Sequence, residues 1–342
     1  MKKLFLFIII IMLLISCAAQ TKGKKKNAEP EWMQNPKKSY PEVLYLTAIG
    51  EGDTRSEAED FAASNLAKIF ESNVSTNETY HQRYLELIKN DEIEFEDITD
   101  VSKDVNIQAE QTLYNIQFSE GFTDELGRVH VLAYLNRTRT ADIYEEKISS
   151  NSEKILYYEG ISNSAQDVRI KYAAMNAASV ISENNEILMD QLNIISPDSK
   201  EFIEIGYDHN EITRLSSQYA REISFQTDIA YDDEGKITDI INNLLTEMGF
   251  VSGRTQILSI SGEIKFQETD LKRDDFKFIR YELTLQVKDD ENVLVSSLSE
   301  KGKEGHVTYF EAKERCIRNL GDKIERSLRS EITDYFDSFI RK

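Results

Sequence analysis

Residues 236–250, KITDIINNLLTEMGF, decide how the last third of the chain folds. Ile237, Ile240, Ile241, Leu244, Leu245 and Met248 follow one another at spacings of 3, 1, 3, 1 and 3, which lays one apolar stripe along a helix. Gly249 stands where a helix C-cap takes a left-handed residue. On the amino-terminal side, Glu222 to Tyr231 reads as a strand closed by the turn Asp232-Asp233-Glu234-Gly235. On the carboxy-terminal side three strands follow. Leu258, Ile260, Ile264 and Phe266 share a face of the first, and Ile279, Tyr281, Leu283, Leu285 and Val287 share a face of the second. Asp289 to Asn292 turns into the third, Val293 to Leu298. A final helix is expected to bury Phe310, Ile317, Leu320, Ile324, Leu328, Ile332, Tyr335 and Phe339. The order β-α-β-β-β-α predicts a helix-on-sheet sandwich over residues 221–342.

Upstream, residues 141–196 are helical in pattern until Pro197, and residues 147–220 read as a helical connector, in the form of a hairpin or otherwise. A first domain is expected over residues 41–146. It opens with a strand from Leu44 to Ile49, a turn at Gly50-Glu51-Gly52 and a capping box at Thr54-Arg55-Ser56-Glu57. The next helix carries Ala58, Phe61, Ala62, Leu66, Ile69 and Phe70 on one face. Val74 to Tyr80 reads as a strand, and the acidic stretch 86–104 as loop or exposed helix. Thr112 to Phe122 and Arg128 to Asn136 make a hairpin around Asp124-Glu125-Leu126-Gly127, with a helix from near Thr140. The fold class is α+β or α/β: two small helix-on-sheet sandwich domains joined by a helical connector, after a signal peptide and tether.

The amino terminus has a separate logic. Lys2 and Lys3 precede an unbroken apolar run from Leu4 to Leu14, eleven residues. As a helix it rises about 16 Å, roughly half a hydrocarbon core. That is the length of a signal-peptide apolar region. It ends in Leu14-Ile15-Ser16-Cys17, followed by Ala18 and Ala19. The alternatives are an ordinary secretory signal and a core cysteine beside a membrane helix; charge, length, tetrad and position together favour a cleaved leader over residues 1–16. Residues 17–40 read as a tether becoming a docking strand. Its lysines 22, 24, 25 and 26 sit beside an anionic membrane surface, each contributing about 1 kcal/mol. Pro30-Glu31-Trp32, holding the single tryptophan, is expected to cover the edge of the first domain.

The formal charge of −20 falls to −22 without Lys2 and Lys3, and to −26 without the four tether lysines. So acidic a body repels phosphate backbones and anionic lipid, which argues against a nucleic-acid partner. The chain has two cysteines, Cys17 at the end of the leader and Cys316, whose place beside Ile317 and Leu320 suits a buried thiol.

No catalytic constellation emerges. Glu51, Asp53, Glu57, Glu59 and Asp60 surround the Gly50-Glu51-Gly52 amides and would repel a phosphate there. Histidines 81, 130, 209 and 306 are at least 49 residues apart, with no metal-ligand spacing. The acidic turns at 232–234 and 289–291 lack the ligand spacing of a calcium loop. The expectation is a protein without enzyme activity, cofactor or metal.

Leu14-Ile15-Ser16-Cys17 resembles the lipobox of bacterial lipoproteins. That resemblance implies an S-diacylglycerol on Cys17 and, after cleavage, an N-acyl group. Ala18, where an aspartate would signal retention, resembles the default signal for the outer membrane, with the chain facing the periplasm; inner-membrane retention and surface display stay open. Pro30-Glu31-Trp32, Tyr45 through Gly50, Glu57-Ala58 and Val131-Leu132-Ala133-Tyr134-Leu135 resemble the LPP-twenty-type lipoprotein family over residues 30–146, and likewise the amino-terminal part of the flagellar T-ring protein. Ile237 through Phe250, the turn from Asp289 to Asn292 and Ala312 resemble the TolB amino-terminal-like domain found in the curli-secretion lipoprotein. These resemblances imply a non-enzymatic scaffold or interaction module held by its lipid anchor, with unidentified envelope proteins as partners, for example in flagellar or cell-wall machinery. The alternative is a carrier or sensor of a small apolar ligand. Oligomeric state is left open.

Overall fold

The computed structural model describes residues 29–70, 78–89, 113–253, 256–273 and 276–341. The chain divides into two compact units, Met1–Ile69 with Ser102–Arg137, and Phe70–Val101 with Thr138–Lys342.

The first unit begins with two short helices, α1 (Glu31–Gln34) and α2 (Pro36–Ser39), where a docking strand was expected. Pro36 supplies the reason, since proline is preset for the first position of a helix. Trp32 is buried. Strand β1 (Tyr45–Gly52) leads into α3 (Arg55–Ala67). The capping box forms: Glu57 N–H donates to Thr54 Oγ1 at 3.2 Å, and Thr54 N–H to Glu57 Oε2 at 3.2 Å.

The expected turn at Gly50-Glu51-Gly52 is instead the end of the strand. These glycines serve a close approach. A Cβ on Gly50 would lie 2.1 Å from Ala62 N, and one on Gly52 would lie 2.6 Å from Glu57 Cβ. A helix drawn that near meets the sheet through a narrow face of Ala58, Ala62, Ala63, Leu66 and Ala67. Phe61 and Ile69, expected in the core, stand on its flank, 57% and 38% exposed.

Strands β2 (Gln117–Phe118), β3 (Phe122–Thr123) and β4 (Val129–Asn136) complete an antiparallel sheet. β4 is central, with β1 on one side and β2 and β3 on the other. The single strand expected over 112–122 is broken because Ser119 Oγ takes the Leu132 N–H at 3.0 Å, replacing a ladder acceptor. The β3–β4 turn closes on Asp124 Oδ1, which accepts from Leu126 N and Arg128 N, both at 2.9 Å.

The second unit has α4 (Glu78–Lys89), α5 (Arg137–Ser164), α6 (Val168–Ile195), α7 (Pro197–Phe202) and α8 (His209–Glu222). Helix α4 replaces the strand expected to end at Tyr80; its Tyr84 and Leu87 join this unit's core at helical spacing. Positions 74–77 and 90–104 of those expectations lie outside the described residues. Asp167 and Asp208 cap α6 and α8.

The helices expected as a connector over 147–220 belong to this unit's own core. Ala173, Ala174, Ala177 and Ile181 of α6, and Ile212 and Ala220 of α8, are buried in one cluster with the sheet. Small residues on α6 let neighbouring elements approach closely, so its apolar face is spent inside the unit. A polar seam fixes their register: Asn151 Nδ2 donates to Asn185 Oδ1 at 2.8 Å, and Asn185 Nδ2 donates to Tyr207 Oη at 3.2 Å.

The sheet comprises β5 (Ser224–Ala230), β6 (Val251–Ser252), β7 (Leu258–Arg273), β8 (Phe276–Asp289) and β9 (Leu294–His306), with α9 (Lys236–Glu247) and α10 (Tyr309–Asp337). Its order is β6-β5-β7-β8-β9, parallel from β6 to β7 and antiparallel beyond. Gly249 takes a φ of 89°, as its C-cap position requires. The apolar sides of β7 and β8 are buried with Leu320, Ile324, Leu328 and Ile332 of α10. Phe310, expected inside, is 67% exposed, and Phe336 takes a core place instead. Tyr172, Phe250 and Phe336 form an aromatic knot with ring centroids 4.8 to 5.5 Å apart.

Candidate functional site

The residues with intrinsic reactivity have local partners or are sealed away. His130 Nε2 sits 3.0 Å from Asp124 Oδ2, and this contact holds the Asp124 carboxyl below the usual carboxylate range. His209 Nδ1 lies 3.0 Å from Ser182 Oγ, and His306 Nδ1 lies 2.5 Å from Glu311 Oε2. Burial holds the His81 ring below the usual histidine range. Among the described residues, no three His, Cys, Asp or Glu side chains gather as metal ligands. Cys316 is buried, and burial pushes its thiol up to about 11, where the reactive thiolate is scarce at neutral pH. Cys17, the expected lipidation site, lies outside the described residues. No described helix is long and apolar enough to cross a membrane.

Two surfaces stand out. The first is a groove of about 410 Å³ in the first unit, lined by Ile49, Gly50, Glu51, Phe61, Asn65, Arg128 and His130. Arg128 is committed there, donating to Glu51 Oε1 and Asp53 Oδ1, each at 2.7 Å. Asn65 Nδ2 donates to the Ile49 carbonyl at 2.9 Å. The groove is therefore bordered by satisfied ion pairs on one side and the exposed Phe61 ring on the other.

The second is a set of lysine and aromatic contacts in the second unit, where Tyr231 is 66% and Phe310 67% exposed. Lysines sit over the rings: Lys265 over Tyr231 at 5.8 Å, Lys313 over Phe266 at 5.2 Å, Lys236 over Phe310 at 5.9 Å and Lys277 over Tyr309 at 5.7 Å. Glu234 ties the lysines together, 2.5 Å from Lys313 and 3.0 Å from Lys236, and they hold its carboxyl below the usual range. Sequence reading missed this cluster because its members come from five separate elements or turns. The available signal was the closeness of Lys to aromatics in sequence, as in Phe276-Lys277-Phe278 and in Tyr309-Phe310 with Lys313.

No protein-family model and no curated protein matches this chain. Among solved structures, the chain is similar to the secreted protein HP1454 of Helicobacter pylori at 11% identity and a TM-score of 0.41, over 82% of this chain and 96% of that one. A minor lipoprotein from Acinetobacter baumannii is similar at 12% identity and a TM-score of 0.27, over 31% of this chain and 92% of that one. Both likenesses are too slight to transfer a fold or an activity.

Proposed function

We propose that this chain is an envelope lipoprotein, anchored through Cys17 and working as a non-enzymatic interaction module that meets its protein partner around Phe310 and the lysines beside it in the second unit. What supports the reading is the exposed Phe310 ring, 67% exposed, with Lys236 5.9 Å from its centroid and that lysine paired to Glu234. An exposed aromatic side chain bordered by paired charges is common in protein-binding surfaces. The apolar run ending at Cys17 and the tether lysines agree with it. A carrier of small apolar ligands asks for an enclosed apolar cavity, and the groove beside Phe61 is open and bordered by Glu51, Arg128 and His130.

A photo-crosslinking residue at position 310 of the full chain, in its own envelope, should trap one defined protein, whereas the same residue at the exposed Leu126 should not. Equal, diffuse adducts at both positions would remove Phe310 from the account. Independently, Cys17→Ser should abolish incorporation of radiolabelled acyl chains; undiminished labelling would end the anchoring proposal.

A further inference from the structure

The other surface leads to a different partner, independently of the reading above. In the register of β1 with β4, Arg137 N–H donates to the Leu44 carbonyl at 2.9 Å, and Tyr45 stands opposite Asn136. Hydrogen-bonded pairs alternate along an antiparallel ladder, so residues 44, 46, 48, 50 and 52 bond to β4 and residues 45, 47, 49 and 51 direct their backbone groups outward. Tyr45 N–H is taken by the Pro41 carbonyl at 2.9 Å, and the Ile49 carbonyl by Asn65. Among the described residues, Thr47 keeps both backbone groups open along this edge, and Ile49 keeps its N–H.

Helix α3 borders the same edge with Asp60, Phe61, Ser64 and Asn65 at four-residue spacing, and Lys68 and Ile69 follow in the turn at its carboxy-terminal end. Asn65 reaches Ile49 from among them, so this stripe overhangs the strand. Turned about a twofold axis near its middle, this stripe complements itself. Phe61 then meets Ile69 of the second copy, and Asp60 meets its Lys68. Neither charge has an acidic or basic partner of its own among the described residues; Lys68 donates only to Asn65 Oδ1, at 3.0 Å. Tyr45 to Gly50 carries no charge in a chain of net charge −20, so two acidic copies approach here with least repulsion.

We infer that the β1 edge and the α3 stripe form a self-association surface, on which two copies of this chain pair β1 with β1 antiparallel and pack α3 against α3. The arrangement is isologous, joins two four-stranded sheets into one, and covers both Phe61 rings. An open edge flanked by exposed apolar residues is a liability until something covers it, and a second copy supplies both the strand and the matching stripe.

The test uses the full chain in its native membrane. Ser64→Cys, near the proposed axis, should give a covalent dimer with a short bismaleimide, whereas Lys301→Cys on β9 should give none; buried Cys316 is a silent background. Asp60→Lys, which removes the pair twice over in a twofold dimer, should cut the Ser64→Cys dimer about fivefold, roughly 1 kcal/mol at about 0.5 kcal/mol for each exposed ion pair. Adding Lys68→Asp should restore it, which a misfolded variant would not do. A monomer at Ser64→Cys, an adduct with a different protein, equal dimer at Lys301→Cys, or no recovery in the double swap would each overturn the inference.

Discussion

At the edge of the second sheet, β9 presents Glu300, Lys301, Lys303 and Glu304, whereas β1 at the edge of the first presents Tyr45-Leu46-Thr47-Ala48-Ile49-Gly50 without a charge. On β9 the two glutamates are also tied back to α10, with Lys323 Nζ 2.5 Å from Glu300 and Asn319 Nδ2 donating to Glu304 at 2.7 Å. Charged side chains along an edge discourage pairing with another strand. Among the described residues β1 is met on this edge by the Pro41 carbonyl at Tyr45 N–H and by Asn65 at the Ile49 carbonyl, with an exposed apolar helix flank beside it. The contrast teaches that, among the described residues, charge guards one edge and not the other.

The largest effect expected is on how each sheet is seated. Gly50→Ala should cost about 3 kcal/mol in urea unfolding, since the new Cβ meets helix backbone, which has little room to move. Gly262→Ala should be comparably damaging, because its Cβ would lie 2.1 Å from the Thr284 carbonyl oxygen. If Gly50→Ala melts like the parent, the close seating of α3 is not what shapes the β1 edge.

Removing the guard from the closed edge comes next. Lys301→Val with Lys303→Val should leave the fold intact and produce self-association, roughly doubling the mass seen by light scattering as concentration rises. An unchanged mass would mean that charge is not what closes β9.

Asn65→Ala frees the Ile49 carbonyl on the β1 edge and should cost about 1 kcal/mol by thermal unfolding. A cost near zero would mean that water serves that carbonyl equally well.

The smallest effect concerns the hairpin beside that edge. Asp124 is held below the ordinary carboxylate range first by His130, so its contribution is present above that range and is lost as pH falls through its lowered folded value. Stability measured from about pH 6 to pH 2 should therefore fall most below about pH 4, and Asp124→Asn should flatten that part of the curve. An unaltered slope in the variant would assign the acid sensitivity to other carboxylates.

Much of this architecture is legible in the chain itself. The period of Ile237 to Met248, the alternation along β7 and β8 and the capping box at Thr54 are local patterns, set by residues within a turn or a strand of one another. Such patterns specify element type because backbone geometry repeats every 3.6 or 2 residues. Which face wins the core depends on neighbours far away in sequence, and there tertiary structure decided. Two glycines drew α3 against β1 and turned Phe61 and Ile69 outward, and the α6 alanines placed the supposed connector inside a core. The lysine and aromatic cluster likewise exists only once β7, α9 and α10 are assembled, because no local period relates Phe266 to Lys313 or Lys236 to Phe310. Element type follows from short-range sterics, while exposure and surface chemistry follow from long-range packing.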